Sequence, residues 1–221
     1  MDPDTVRREW ADRTGTFSPE FYAHLGSNAT SEFLCETLRE TVGGGASVLE
    51  LGCSSGRHLA HLHENGFADL HGIEVNADAF EVMAEKFPGL YAEGEFYHDT
   101  FESVLPDFED GAFDAVYSVE ALQHVHPDAE WVFDDVARIT ADTLVTAENE
   151  DGAPGAEPGE GGPDRGETAD EDTDVNYVED EIPLYYRDWD EVFGERGLTE
   201  VRVEEGTRYR TRVFRQPGAV Q

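Results

Sequence analysis

Gly52 and Gly56, separated by Cys53-Ser54-Ser55, follow the apolar run Val48-Leu49-Glu50-Leu51 and precede a helical pattern that begins at Arg57. A strand that enters a small-residue turn and leaves as a helix lets main-chain N–H groups approach a ligand closely, and the helix dipole favours the ligand's negative end. Glu74, on the next strand, lies roughly 20 residues past the glycines, the spacing that lets a carboxylate hydrogen-bond ribose hydroxyls. The pair reads as a site for a nucleoside-containing cofactor, with an ordinary tight turn as the plain alternative. The same five residues also satisfy Gly-x-Ser-x-Gly, with Ser54 placed as an esterase nucleophile would be. That chemistry needs an acid and then a histidine after the serine, normally late in the chain. No histidine follows His126, and the loop comes after the first strand rather than after several. The esterase reading is therefore set aside.

The elements that must position these residues alternate. Strands are predicted at 47–51, 70–75, 95–98, 113–119 and 142–147, with helices at 56–64, 77–86 and 129–138 between them. Such alternation implies a parallel sheet with both faces covered and a ligand at the strands' carboxyl ends. Upstream, Phe33, Leu34, Leu38 and Val42 follow helical spacing, ended by Gly43-Gly44-Gly45. Downstream, a short helix near 188–195 precedes two strands, Leu198–Val203 and Arg208–Phe214. Arg208, Arg210 and Arg212 recur at period 2 and share one strand face. They are expected to pair with Glu200, Glu204 and neighbouring carboxylates rather than to form a polyanion-binding stripe.

Four stretches resemble the class I S-adenosylmethionine-dependent methyltransferases: Glu50–Gly56, Gly72–Asn76, the Asp99-Thr100 step after Phe96-Tyr97-His98, and Phe113–His126. Together they span residues 46–147 in that family's order. One departure is Ser54, where the family's loop usually has a glycine. The resemblance implies a three-layer, Rossmann-like α/β fold with a seven-stranded, mostly parallel sheet and a C-terminal antiparallel hairpin. It also implies S-adenosyl-L-methionine as cofactor. Glu50 and the backbone at Gly52 would hold the methionine part, with Cys53, Ser54 and Gly56 around them. Glu74 would bind the ribose, Asn76 would flank the adenine beside Val75, and Asp99, next to Thr100, would accept from the adenine amino group. Ser118 and Val119 would line the pocket beneath the sulfonium.

Methyl transfer from a positively charged sulfur is largely a matter of holding the acceptor close and aligned. A base is needed only for an acceptor that arrives protonated. Glu120, His124 and Glu148, all near strand ends, are the candidates, and His126 lies beside them. Tyr22, Tyr185 and Tyr186 are candidates for the acceptor pocket wall, as is Trp189. His58, His61 and His63 lack a further positioned ligand, so they are read as surface helix residues and no metal site is expected.

Composition bounds the rest. The 221 residues fit one domain. They divide into an N-terminal helical lid (1–45), a cofactor-binding core (46–147), an acidic flexible insertion (148–181) and a C-terminal helix and hairpin (182–221). No apolar run approaches the roughly 18 residues that spanning a membrane needs, and no secretory signal is expected at the N-terminus. Two cysteines give no disulfide framework, consistent with a reducing cytoplasm. Asp and Glu number 50 against 15 Lys and Arg, a formal net charge of −35. Self-repulsion of that size is relieved in molar salt, where the Debye length is about 3 Å. The sequence therefore reads as a protein of a high-salt, halophile-type cytoplasm. The expected activity is methyl transfer to a small-molecule acceptor. A non-catalytic cofactor-binding module and an RNA or protein methyltransferase are the alternatives, nucleic acid being disfavoured by the charge.

Overall fold

The computed structural model describes residues 1–150, 175–178, 182–206 and 209–219. Its helices are α1 (Pro3–Ala11), α2 (Pro19–Leu25), α3 (Ala29–Thr41), α4 (Arg57–Glu64), α5 (Asp78–Lys86), α6 (Pro88–Glu93), α7 (Phe101–Val104), α8 (Val132–Ile139) and α9 (Trp189–Gly194). Its strands are β1 (Ser47–Leu51), β2 (Asp69–Glu74), β3 (Glu95–His98), β4 (Phe113–Val119), β5 (Thr140–Glu148), β6 (Val175–Val178), β7 (Ile182–Tyr185), β8 (Thr199–Glu205) and β9 (Arg210–Arg215).

Seven strands form one sheet in the order β3-β2-β1-β4-β5-β9-β8. The first five run parallel, while β9 pairs antiparallel with β5 and β8 antiparallel with β9. This is the Rossmann-like methyltransferase fold expected from the alternation and from the resemblance. The order reverses between β1 and β4, so the chain leaves these neighbouring strands in opposite directions and a crevice opens at their carboxyl ends.

The strands are apolar on both faces because helices cover both. One core holds Leu49, Leu51, Val116, Leu144 and Phe214 against Val132, Phe133, Val136, Trp189 and Phe193 of α8 and α9. The other holds Val48, Leu70, Ala115, Tyr117 and Val145 against Leu34, Leu38, Leu59, Leu62 and Met83 of α3, α4 and α5. Trp189, expected as a pocket wall, is fully buried in the first of these cores.

A third, smaller core is not foreshadowed by the sequence pattern. Val6 of α1 and Phe17 pack with Ile182 and Leu184 of β7, and Trp10, Phe21, Tyr22 and Tyr186 surround them. The N-terminal segment and the β6–β7 hairpin thus form a roof over one end of the sheet. Both α1 and α2 begin with a side-chain cap, Asp2 and Ser18, followed by proline at the first helical turn.

Arg210 and Arg212 pair with carboxylates as expected, except that Glu204 meets Arg202 instead. Arg212 meets Glu150 through two nitrogens, at 2.6 and 2.9 Å, and also Glu200, while Arg210 meets Glu150 and Glu205. Arg208 and most of the acidic insertion lie outside the described residues. Among the described residues, no helix is long and apolar enough to cross a membrane.

Candidate functional site

The turn after β1 is pinned to the end of β2. The N–H groups of Gly52 and Cys53 both donate to the Ile73 carbonyl at 3.0 Å, and Gly56 N–H closes the turn on the Cys53 carbonyl at 2.8 Å. Gly52 has φ +71°, and a Cβ there would lie 2.5 Å from that of Ala121. Glycine at this position therefore serves both the left-handed backbone and the close approach of the β4 loop. Gly72 has a related role, since a Cβ on it would meet the Cys53 sulfur at 2.6 Å. Ser54 accepts φ +47° without being a glycine.

Glu74 fixes the turn from the other side. One carboxylate oxygen accepts from Val75 N–H at 2.7 Å and Asn76 N–H at 2.8 Å, and the other accepts from Ser54 N–H at 2.8 Å. Burial raises its pKa while these three donors oppose the rise. A carboxylate offers about four lone-pair positions, so one is left for a ligand hydroxyl. Glu50, buried at the end of β1, accepts from the Tyr117 hydroxyl at 3.0 Å, and burial pushes its pKa up to about 8.

A cleft opens above these groups with an empty volume of about 1190 Å³, its open mouth included. Glu50, Gly52, Cys53, Ser54, Glu74, Val75, Asn76, Asp99, Thr100 and Val119 line it, as do Tyr22, Glu120 and His124. Val6, Arg7, Trp10, Arg13 and Phe17 contribute the N-terminal wall, and Phe101, Val125 and His126 contribute the wall beyond β3 and β4. The three non-glycine residues with left-handed backbone among those described, Phe17, Ser54 and Glu120, all lie on this cleft. Strain of that kind persists where surrounding structure imposes it, typically at ligand sites.

The structure separates the expected residues. Gly56 caps α4 behind the cleft wall. Asp99 accepts from Thr100 N–H at 2.7 Å, and Thr100 caps α7 by accepting from Ser103 N–H. The Asn76 amide donates to the carbonyls of Trp10 at 3.3 Å and Arg13 at 3.2 Å, so it ties the N-terminal roof to the sheet.

Ser118 and Glu148 are not on the wall. Glu148 is fully buried, and its carboxylate accepts from the Ser118 hydroxyl at 2.5 Å and from the N–H groups of Ala121, Leu122 and Gln123 at 3.2 Å each. Four donors fill its lone pairs, so it shapes the loop after β4 instead of meeting an acceptor. Burial pushes its pKa up to about 7. Tyr185 and Tyr186 are likewise absent from the wall. Tyr186 packs in the roof core, and Tyr185 faces His126 and the Arg187 guanidinium.

His124 is on the wall with its ring 4.7 Å from that of Trp10. Its Nδ1–H donates to the Pro183 carbonyl at 3.0 Å, and burial lowers its pKa to about 4. It is neutral at pH 7 with its lone pair on Nε2, a weak base there.

His58 was expected on the surface, yet it is 4% exposed and lines the cleft. Its helix face looked polar because His61 and His63 are its neighbours in sequence, and His63 does meet Glu93 outside. Only the packing of α4 on α3, where His58 Nδ1 meets Ser31 Oγ at 2.8 Å, turns it inward. No group of three or more metal-binding side chains occurs among the described residues.

Known proteins similar to this chain share its fold. Residues 48–143 match the family model described as a methyltransferase domain. Methyltransferase GfsG of Streptomyces halstedii is 27% identical over 101 residues, covering 46% of this chain and 36% of its own length. The chain spans between 25 and 42% of the length of the curated methyltransferases it matches. Among solved structures, 1,6-didemethyltoxoflavin-N1-methyltransferase of Burkholderia thailandensis, determined with its acceptor and S-adenosylhomocysteine, superimposes with a TM-score of 0.69. It is 15% identical, and the match covers 98% of this chain and 91% of that one. Magnesium protoporphyrin IX methyltransferase of Synechocystis, determined with S-adenosylmethionine, gives 0.59 at 16% identity, covering 97% and 90%.

Proposed function

Starting from a chain that carries a class I, Rossmann-like methyltransferase domain, we propose that its cleft binds S-adenosylmethionine and passes the methyl group to a small, largely apolar acceptor. The observation that carries this reading is the junction of the Gly52–Ser54 turn with Glu74, whose carboxylate spends three bonds on the turn and keeps one acceptor position facing the cleft. A Cβ at Gly52 would close this cradle. Glu50, carrying its proton at pH 7, adds a neutral hydrogen-bonding group to the floor rather than a second negative charge.

The cofactor supplies a methyl carbon already activated by cationic sulfur. What this chain contributes is position and exclusion of water. Val6, Trp10, Phe17 and Tyr22 on the roof side, with Phe101 and Val125 opposite, form an apolar wall suited to a ring or hydrocarbon acceptor. Residues 1–45 act as the lid of this cleft: Asn76 holds Trp10 and Arg13, Arg7 pairs with Glu102, and His126 Nε2–H donates to the Met1 carbonyl at 3.1 Å.

Of the three candidate bases, Glu148 is sequestered and His124 is weak, which leaves Glu120 as the candidate base that lines the wall. This arrangement favours acceptors that arrive with a free lone pair, for which alignment suffices. Calorimetry in molar KCl with S-adenosylmethionine and S-adenosylhomocysteine, beside NAD, tests the proposal. Micromolar binding of both sulfur compounds without NAD binding is expected; binding of NAD in their place refutes it.

A further inference from the structure

The three tryptophans of the chain differ in what meets their indole N–H. Trp189, fully buried, donates to the Asn149 carbonyl at 3.4 Å, and Trp131 is 44% exposed, so water serves it. Trp10 has neither: it lines the cleft, and its Nε1 is buried without a hydrogen-bond partner. A buried indole N–H normally finds one, because leaving a desolvated donor unpaired is destabilising. Phenylalanine would pack against the roof core of Val6, Phe17, Ile182 and Leu184 without that cost.

The groups around Trp10 are already committed. Its own carbonyl and that of Arg13 receive the Asn76 amide. The His124 ring lies 4.7 Å away, tilted by 56°, and has no lone pair to spare. Its Nδ1–H donates to the Pro183 carbonyl at 3.0 Å, and its Nε2 faces the Gln123 NH2 group at 3.4 Å. That amide is held in this orientation by Asn149, which donates twice to its oxygen, at 2.8 and 2.9 Å. The roof side of the cleft thus carries an unmatched neutral donor beside the apolar Val6, Phe17 and Val125.

We propose that Trp10 Nε1–H selects the methyl acceptor by pairing with an in-plane lone pair at the edge of a neutral planar ring, a ring nitrogen or a carbonyl oxygen. This rests on the reading of the cleft given above and narrows its acceptor. An indole N–H donates in the plane of its own ring, so it serves the edge of the guest while the apolar side chains cover the faces. Turning the indole toward the guest breaks no hydrogen bond, because the side chain makes none. A neutral donor suits a neutral lone pair, whereas an ionised group would exchange several water contacts for one N–H.

Quinoline and naphthalene, the same bicycle with and without a ring nitrogen, test the proposal on protein saturated with S-adenosylhomocysteine in molar KCl at neutral pH. In proton–nitrogen correlation spectra of the wild type, the sequentially assigned Trp10 indole signal is expected to move downfield with quinoline and to lack that shift with naphthalene. By calorimetry, the ratio of quinoline to naphthalene affinity is expected to fall about 5-fold in Trp10→Phe, as for one lost hydrogen bond, with naphthalene affinity retained. An indole signal that answers both rings alike overturns the proposal, as does wild-type protein that binds neither ring. It is equally overturned if Trp10→Phe weakens both rings by the same factor, since the residue then merely supports the cleft. Should Trp10→Phe not fold, the wild-type spectra decide. Wild-type protein that does not bind S-adenosylhomocysteine defeats the cofactor reading instead, and the two rings, offered to the empty cleft, then decide the role of Trp10 by themselves.

Discussion

Replacing Glu74 by Gln tests the cofactor turn at its centre. The carboxylate takes three main-chain N–H groups, two on one oxygen and Ser54 N–H on the other. An amide has one accepting oxygen, so if it satisfies Val75 and Asn76, its own NH2 group faces Ser54 N–H. One partly buried donor is orphaned in a turn whose Ser54 already sits at φ +47°. An unsatisfied buried donor costs about 1–3 kcal/mol. For a domain of this size about 2 kcal/mol lowers the melting temperature by about 4–8 °C. The lone-pair position assigned to the ribose is lost as well, and a missing hydrogen bond to a charged group weakens S-adenosylhomocysteine by about 10- to 150-fold. Thermal melts and calorimetry in molar KCl read the two effects separately, with the exposed Glu81→Gln as control. If Glu74→Gln melts within 1 °C of wild type, the staple is refuted. If it melts lower but binds S-adenosylhomocysteine unchanged, the ribose assignment is refuted while the staple stands.

Three further outcomes follow from the same geometry. Gly52→Ala is expected to be more damaging than Gly56→Ala in denaturant titration, because its Cβ meets the short Ala121 side chain at 2.5 Å, whereas that of Gly56 meets the flexible end of Met83 at 2.8 Å. Asn76→Asp keeps the acceptor for Asp78 N–H but sets an oxygen against the Trp10 and Arg13 carbonyls. Hydrogen exchange should speed up across α1, with protection in β1 and β4 unchanged. Burial raises the Glu148 pKa from 4.5 to about 7, so folding favours the protonated form. Its contribution to stability is complete below pH 4.5 and fades as pH rises through 7, by about 3 kcal/mol in all. Glu148→Gln lacks that slope, so denaturant titrations at pH 5 and pH 8 should show the gap between variant and wild type shifting in the variant's favour at the higher pH.

Much of the architecture is local in origin and was therefore readable from the chain. Period-2 and period-3.6 patterns are properties of a few consecutive residues, so β1, β3 and β4 fall within 47–51, 95–98 and 113–119 as expected, and α4 begins one residue after the predicted start. The glycine turn and the distance to Glu74 are likewise sequence-local, because one βαβ unit fixes their separation. Side-chain direction across elements is not local. Glu148 and Ser118 belong to neighbouring strands whose pairing buries both, and only that pairing shows four donors closing around the carboxylate. His58 looked like one polar residue among three until α3 covered its face of α4. Asn76 looked like part of a ligand site, yet its amide meets carbonyls more than 60 residues earlier in the chain. Composition and periodicity determined which elements form and where the cleft opens; contacts between residues far apart in the chain decided which side chains face that cleft, since burial and hydrogen-bond satisfaction are set by neighbours that periodicity does not encode.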